Sequence, residues 1–156
     1  MKLSNTPYTY IFSTINHVFQ CFELDHEVIS CAEAAHAKGF PLKNELKTLV
    51  LDTNMGLCTV NTTGDQQVSL RKVKNALKLS NVCMADSQKL SELNLVPGGI
   101  CPFLEIIWNS TMLIDRSVFD LPFLSTNNGT RIKYIVFEPN LLLLSPKHII
   151  GTYNKI

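Results

Sequence analysis

Charge is what this sequence has least of. Acidic and basic residues make up 17% of its 156 residues, and the 14 lysines and arginines against 13 aspartates and glutamates leave a net charge of +1. A protein held to nucleic acid by phosphate neutralisation alone normally needs a basic face, so the near-neutral charge argues against that class without excluding a local contact. Paired cysteines are also missing. The five present, Cys21, Cys31, Cys58, Cys83 and Cys101, are odd in number, widely spread and without a C-x-x-C pair. Neither a disulfide framework nor a zinc site is expected, and the thiols read as reduced and mostly buried. No segment approaches the roughly 18 apolar residues of a membrane span, and Met1 to Pro7 lacks the apolar stretch of a signal peptide. A cytoplasmic protein without a membrane partner is expected. Repeats, low-complexity tracts and long charge runs are absent too. What is there is a 46% hydrophobic chain, the balance of a folded protein, of a size for one domain over residues 1–156.

Local signals outline the elements. Thr6-Pro7 starts a short helix to about Thr14, and Val18 to Leu24 reads as a first strand. Ser30-Cys31-Ala32-Glu33 is a capping box, opening a helix to Lys38 that ends at Gly39. Leu46 to Asp52 is a strand, Thr53 to Gly56 a turn, and Leu57 to Val60 the returning strand. From Ser69 a helix places Leu70, Val73 and Leu77 at core spacing, with Arg71, Lys72, Lys74 and Lys78 on its other faces. That basic group reads first as a solvated helix face. Val82 to Met84 forms a short strand, and Asp86-Ser87 caps a helix to about Leu93. Further strands are expected around Glu105 to Trp108, Thr111 to Ile114 and Ile132 to Phe137. Interleaved short strands and helices indicate an α+β fold with a mixed, barrel-like sheet and flanking helices.

Three places can carry chemistry. On the Leu46 to Asp52 strand, the period of two sets Lys47 on one face with Leu49 and Leu51, an ammonium at the head of an apolar face. Desolvation there would lower its pKa and favour donation toward developing negative charge. From this segment alone, the simpler account is a lysine whose stem follows the strand while its head returns to solvent. The second place is Val96 to Phe103, where Gly98-Gly99 permits close backbone approach, and Pro97 and Pro102 hold the loop in shape. Its amides suit an oxyanion, and an ordinary turn is the alternative. Cys101 within it raises the idea of a thiol nucleophile with His26 or His36 as base, though no nucleophile motif surrounds it. Third is the polar turn Ser125 to Thr130, where Asn128-Gly129 suits positive φ. Asp25-His26, after the first strand, reads by itself as a surface pair.

The order of these pieces carries a resemblance. Asp25-His26, Ser30-x-x-Glu33-Ala34-Ala35, Lys47-Thr48-Leu49-Val50, Met84-Ala85-Asp86, Gly98 to Phe103, and Asn128-Gly129 before Glu138-Pro139-Asn140-Leu141 form one pattern from roughly His17 to Leu144. It resembles the YbaK/prolyl-tRNA-synthetase-associated editing domain family. The resemblance implies a mixed β-barrel with flanking helices that hydrolyses the ester of a mischarged aminoacyl-tRNA, without a cofactor. With nothing flanking the domain, a free-standing trans-editor is expected. The family's lysine maps onto Lys47, its Gly-Gly-x-x-Pro loop onto Gly98, Gly99, Ile100, Cys101 and Pro102, and its final glycine turn onto Asn128-Gly129. His26 joins these as a substrate contact.

So read, Lys47 and loop amides from Gly99 to Cys101 stabilise the oxyanion. No carboxylate or histidine stands out as base, which leaves a ribose hydroxyl of the tRNA, or the substrate's own amine or thiol, to assist. Leu24 stands where Cys-tRNA-specific members carry an aromatic residue, and Asn127-Asn128-Gly129 is less glycine-rich than their final turn. The expected substrate is therefore a small residue such as alanine, serine or cysteine on tRNA-Pro or a related tRNA. A prolyl-tRNA synthetase or an elongation factor is the expected protein partner. Two readings compete with this one: a non-catalytic module of the same fold that binds tRNA or a synthetase, and a cysteine hydrolase built on Cys101.

Overall fold

The structure, a computed structural model, describes residues 20–156, so the helix expected from Thr6-Pro7 and the start of the Val18 to Leu24 strand lie outside the described residues. Among these residues, eight strands form two sheets. The larger takes β2 (Leu46–Thr53), β3 (Gly56–Thr63), β4 (Val82–Met84), β5 (Thr111–Asp115) and β8 (His148–Gly151), in the order β4-β2-β3-β5-β8. Its β4-β2-β3 half is antiparallel, and β5 and β8 add in parallel. The smaller is an antiparallel sheet of β1 (Gln20–Glu23), β6 (Leu124–Asn127) and β7 (Lys133–Phe137), with β7 in the centre. A single bridge, Glu45 to Ser125, links the start of β2 to β6.

The expected closure into a barrel does not occur among the described residues. The larger sheet ends on β4, only three residues long, and on β8, where Ile149 and Ile150 are each 42% exposed. A barrel would have paired these two edges with other strands.

Alternating side chains explain why both faces of the large sheet are covered. Leu46, Val50, Met112 and Ile114 face a core shared with Leu124, Ile135 and Phe137 of the small sheet, and with Phe103, Ile107 and Trp108. Leu51, Val60 and Leu113 point the other way, onto Val73 of helix α2 (Leu70–Leu77), Val82 and Tyr153. Helix α2 starts where its sequence says it should, with the Ser69 hydroxyl accepting from Lys72 N–H. Lys72 then turns its ammonium onto the Asn154 carbonyl at 2.7 Å. Helix α1 (Cys31–Lys38) has its expected caps, with Ser30 accepting from Glu33 N–H and Gly39 left-handed at φ 73°. Helix α3 (Ser87–Glu92) is capped by Asp86 in the same manner.

One expected strand is a helix. Glu105–Trp108 forms the single turn α4, closed by Trp108 N–H to Leu104 O at 2.8 Å and Asn109 N–H to Glu105 O at 3.1 Å. Isoleucine and tryptophan suggest a strand by composition, yet the adjacent pair Ile107 and Trp108 is buried while Glu105 and Ile106 are exposed. Two consecutive buried residues suit a helical turn better than a period of two. No helix among the described residues is long and apolar enough to cross a membrane.

Candidate active site

Two loops that are far apart in sequence meet face to face. Gly99 lies so close to Gly129 that a Cβ built on it would stand 2.8 Å from the Gly129 carbonyl oxygen and 3.1 Å from its carbon. A Cβ built on Gly98, at φ +83°, would stand 3.1 Å from Ile29 Cα and 3.3 Å from Arg131 Nε. Side chains from the second loop clamp the first. Asn127 Nδ2 donates to the Ile100 carbonyl at 2.8 Å, and Arg131 Nε donates to the Pro97 carbonyl at 2.8 Å. Within the turn, Asn127 Oδ1 accepts from Gly129 N–H, and Asn128 Oδ1 accepts from both Thr130 N–H and its hydroxyl. These side-chain-to-backbone bonds fix the turn.

The close approach gives a direct expectation. A Gly99→Ala side chain meets backbone, which cannot rotate away, so the loops must part. We expect a loss of about 1–3 kcal/mol in urea unfolding, with the Gly129 and Thr130 amide NMR signals displaced. Unchanged stability and unchanged signals would contradict this packing.

Two cavities flank the junction. The larger, about 750 Å³, runs past Gly99 and Gly129 to Leu95, Ile106 and Lys147. The smaller, about 50 Å³, lies on the Gly98 side between α1, β6 and β7, and its largely apolar lining includes a buried ion pair. Lys38, in the last turn of α1, donates to Glu45 Oε2 at 2.9 Å and to Ser125 Oγ at 2.9 Å, and its ammonium lies 4.4 Å from the centre of the Tyr134 ring. The Lys38 and Glu45 side chains are only 2% and 3% exposed. Burial pulls Lys38 below the ordinary ammonium value and pushes Glu45 above the ordinary carboxylate value, with their mutual attraction opposing both shifts. Cys31, on the same wall, is raised by burial and by Glu45.

The residues expected from sequence fall into groups. Gly98, Gly99, Ile100, Asn128 and Gly129 are brought together at the loop junction. Cys101 and Pro102 continue the same loop into the interior. The Cys101 thiol is fully buried and pushed up to about 12 by desolvation, which leaves no thiolate for nucleophilic attack. His26 stays on the surface, bonded through Nδ1 to Asp25. Lys47 is half-buried and donates to the Gln66 carbonyl at 2.6 Å, so its ammonium is not among the walls of either cavity, though its charge acts on Cys31.

Sequence reasoning missed the Lys38 and Glu45 pair. Lys38 reads as an ordinary cation at a helix C-terminus, and Glu45 as a polar residue ahead of a strand. Nothing in their spacing sets them together.

Residues 25–143 match the family described as the aminoacyl-tRNA editing domain. No relative among curated proteins matches the chain in sequence. Solved structures similar in fold include the hypothetical protein APE2540, at TM-score 0.85 and 19% identity, covering 96% of this chain and 99% of that one. A proposed trans-editing enzyme for prolyl-tRNA synthetase is similar at TM-score 0.86 and 19% identity, with 99% of this chain and 100% of that one aligned. At such identity the likeness is one of fold.

Proposed function

The chain belongs to the aminoacyl-tRNA editing domain family, and from that premise we propose that it is a trans-editing deacylase for a small amino acid wrongly esterified to tRNA-Pro or a related tRNA. The observation that carries this reading is the 50 Å³ cavity beside Gly98, with room for a few water-sized groups and therefore for the side chain of alanine, serine or cysteine. Glycines at the junction let the two loops close on each other beside this cavity, which fixes its wall.

In the reaction, water adds to the ester carbonyl carbon, giving a tetrahedral oxyanion. Collapse breaks the bond to the ribose oxygen, which takes up a proton, and the products are the free amino acid and a tRNA with its terminal hydroxyl restored. The Gly99 amide is committed to the Val96 carbonyl at 2.8 Å and Cys101 is buried, so the loop donor to the oxyanion in this reading is the Ile100 amide. Lys47 uses one of its three N–H donors on Gln66. Its ammonium lies outside the walls of both cavities, but its charge acts on Cys31 of the small cavity, so its role toward the ester is electrostatic and at longer range. With Cys101 buried and His26 on the surface, the proton-accepting group is a ribose hydroxyl or the substrate's own amine. The enzyme supplies position and charge.

A panel of mischarged tRNA-Pro species tests this. Hydrolysis above the buffer rate is expected for at least one of the alanyl, seryl and cysteinyl esters. Lys47→Ala is expected to lower the rate by about tenfold, the effect of losing about 1.4 kcal/mol of charge stabilisation. Retention of full activity by the variant would remove Lys47 from the mechanism. Tight tRNA binding in gel shift, with no turnover of any ester, would instead identify a non-catalytic module of the same fold.

A further inference from the structure

Among the described residues, two buried side-chain oxygens have no hydrogen-bond partner, and both belong to residues that line the small cavity. Lys38 spends its donors on Glu45 Oε2, Ser125 Oγ and the face of Tyr134. Glu45 Oε1 and Thr126 Oγ1 are buried and have no hydrogen-bond partner. Both residues line the cavity, and each is 2% exposed. Buried polar atoms without partners are uncommon in native proteins, because each leaves its desolvation uncompensated. Two orphans on one small cavity point to a ligand group that completes them.

The chemistry of the orphans narrows that group. An ionised Glu45 Oε1 can only accept a hydrogen bond, whereas the Thr126 hydroxyl can donate or accept. Lys38 already neutralises Glu45, so an added ammonium would leave an unbalanced positive charge in a dry site, which is strongly unfavourable. A neutral hydroxyl meets both requirements, donating to Glu45 Oε1 and accepting from Thr126 Oγ1. A methyl group meets neither, and a thiol is a weak donor. We infer that Glu45 and Thr126, with Lys38 holding Glu45 in place, form a hydroxyl-reading subsite that makes this chain select serine over alanine on its tRNA substrate. For the identity of the ligand, this rests on the deacylase reading.

Selection against a substrate lacking the hydroxyl is strong where the site's own polar groups would be left unpaired. The test measures binding of two non-hydrolysable amide analogues of the acceptor end, seryl-3′-amino-adenosine and alanyl-3′-amino-adenosine, alongside hydrolysis of the matching aminoacyl-tRNAs. The wild-type protein is expected to favour the seryl compound by about tenfold or more in both assays, of the order of one hydrogen bond to a charged group. Thr126→Val removes a hydroxyl that has no partner within the protein. The fold should therefore be unharmed, and the ratio of seryl to alanyl binding should fall by about tenfold. A Lys38→Met, Glu45→Met double variant, which replaces the pair with apolar bulk, should reverse the preference. Equal or alanyl-favouring binding by the wild-type protein, or a Thr126→Val protein with undiminished seryl preference, overturns the inference. The two failures stay distinct. Turnover without seryl preference overturns the subsite and leaves the deacylase intact, whereas seryl-selective binding without turnover of any ester overturns the deacylase and leaves the subsite intact.

Discussion

Replacing Glu45 alone by alanine should lower the unfolding free energy by about 3–5 kcal/mol, the usual loss when one member of a buried ion pair is removed. The reason lies with the charge left behind. Lys38, with a side chain 2% exposed, would keep Ser125 and the Tyr134 ring as its surroundings and lose its carboxylate partner. Its ammonium then has to give up a proton or draw water into the interior. Lys38→Met should be equally damaging, since it strands the Glu45 carboxylate. The Lys38→Met, Glu45→Met double variant should recover most or all of the loss in urea unfolding, because well-packed apolar residues commonly match or exceed a buried ion pair. Burial shifts both groups against their charged forms, which means that the fold carries this pair against its own stability. A double variant as unstable as the single ones would show that the pair is needed for folding and would weaken its assignment to ligand recognition.

That contrast also explains what could be read from the sequence and what could not. Helix α1 was legible because capping chemistry is local: Ser30 and Glu33 at one end and Gly39 at the other act within a few residues. The β2–β3 hairpin and α2 were legible through side-chain period and the Ser69 cap. Strand β6 was not, since its Ser125-Thr126-Asn127 reads as a polar turn. Ser125 and Thr126 are buried, Ser125 against Lys38 and Thr126 against the small cavity, rather than in water, and Asn127 is half-buried. Polarity inside a fold looks like exposure when only the sequence is at hand. The edge strand β8 escaped for the opposite reason, as its isoleucines are partly exposed and it pairs on only one side with β5.

At the site, the sequence located the two glycine loops because backbone freedom is written into Gly98-Gly99 and Gly129. It could not reveal that Lys47 finds a carbonyl 19 residues onward at Gln66, or that a lysine at 38 meets a glutamate at 45 across a loop and a short 3₁₀ turn over Leu42–Asn44. Partners of that kind depend on where the chain returns in space.

Asp115 offers the second large effect, at the other end of the molecule. Its carboxylate lies at the end of β5 and is 3% exposed as a residue. It accepts from Ser117 N–H at 3.0 Å, Tyr153 N–H at 2.7 Å and Asn154 N–H at 3.1 Å. Burial alone would raise its pKa, but the bonds from Ser117, Tyr153 and Asn154 outweigh burial and hold it below the ordinary carboxylate value. These contacts anchor the segment after β8, where Tyr153 packs into the second core and Asn154 bridges to Val68. Asp115→Ala strands the amides of Tyr153 and Asn154, so a loss of about 3–5 kcal/mol is expected from two buried donors at about 1–3 kcal/mol each plus the lost cap. The pH dependence follows from the depressed value. Above the unfolded carboxylate pKa, about 3.9, the stabilisation is fully present; it fades as pH falls through the lower folded value. Urea unfolding of wild type and Asp115→Asn from pH 7 to pH 2 checks this, since the gap between the two proteins should close only at the acid end. A gap that stays constant down to pH 2 would mean that the Asp115 charge does not hold the C-terminal segment.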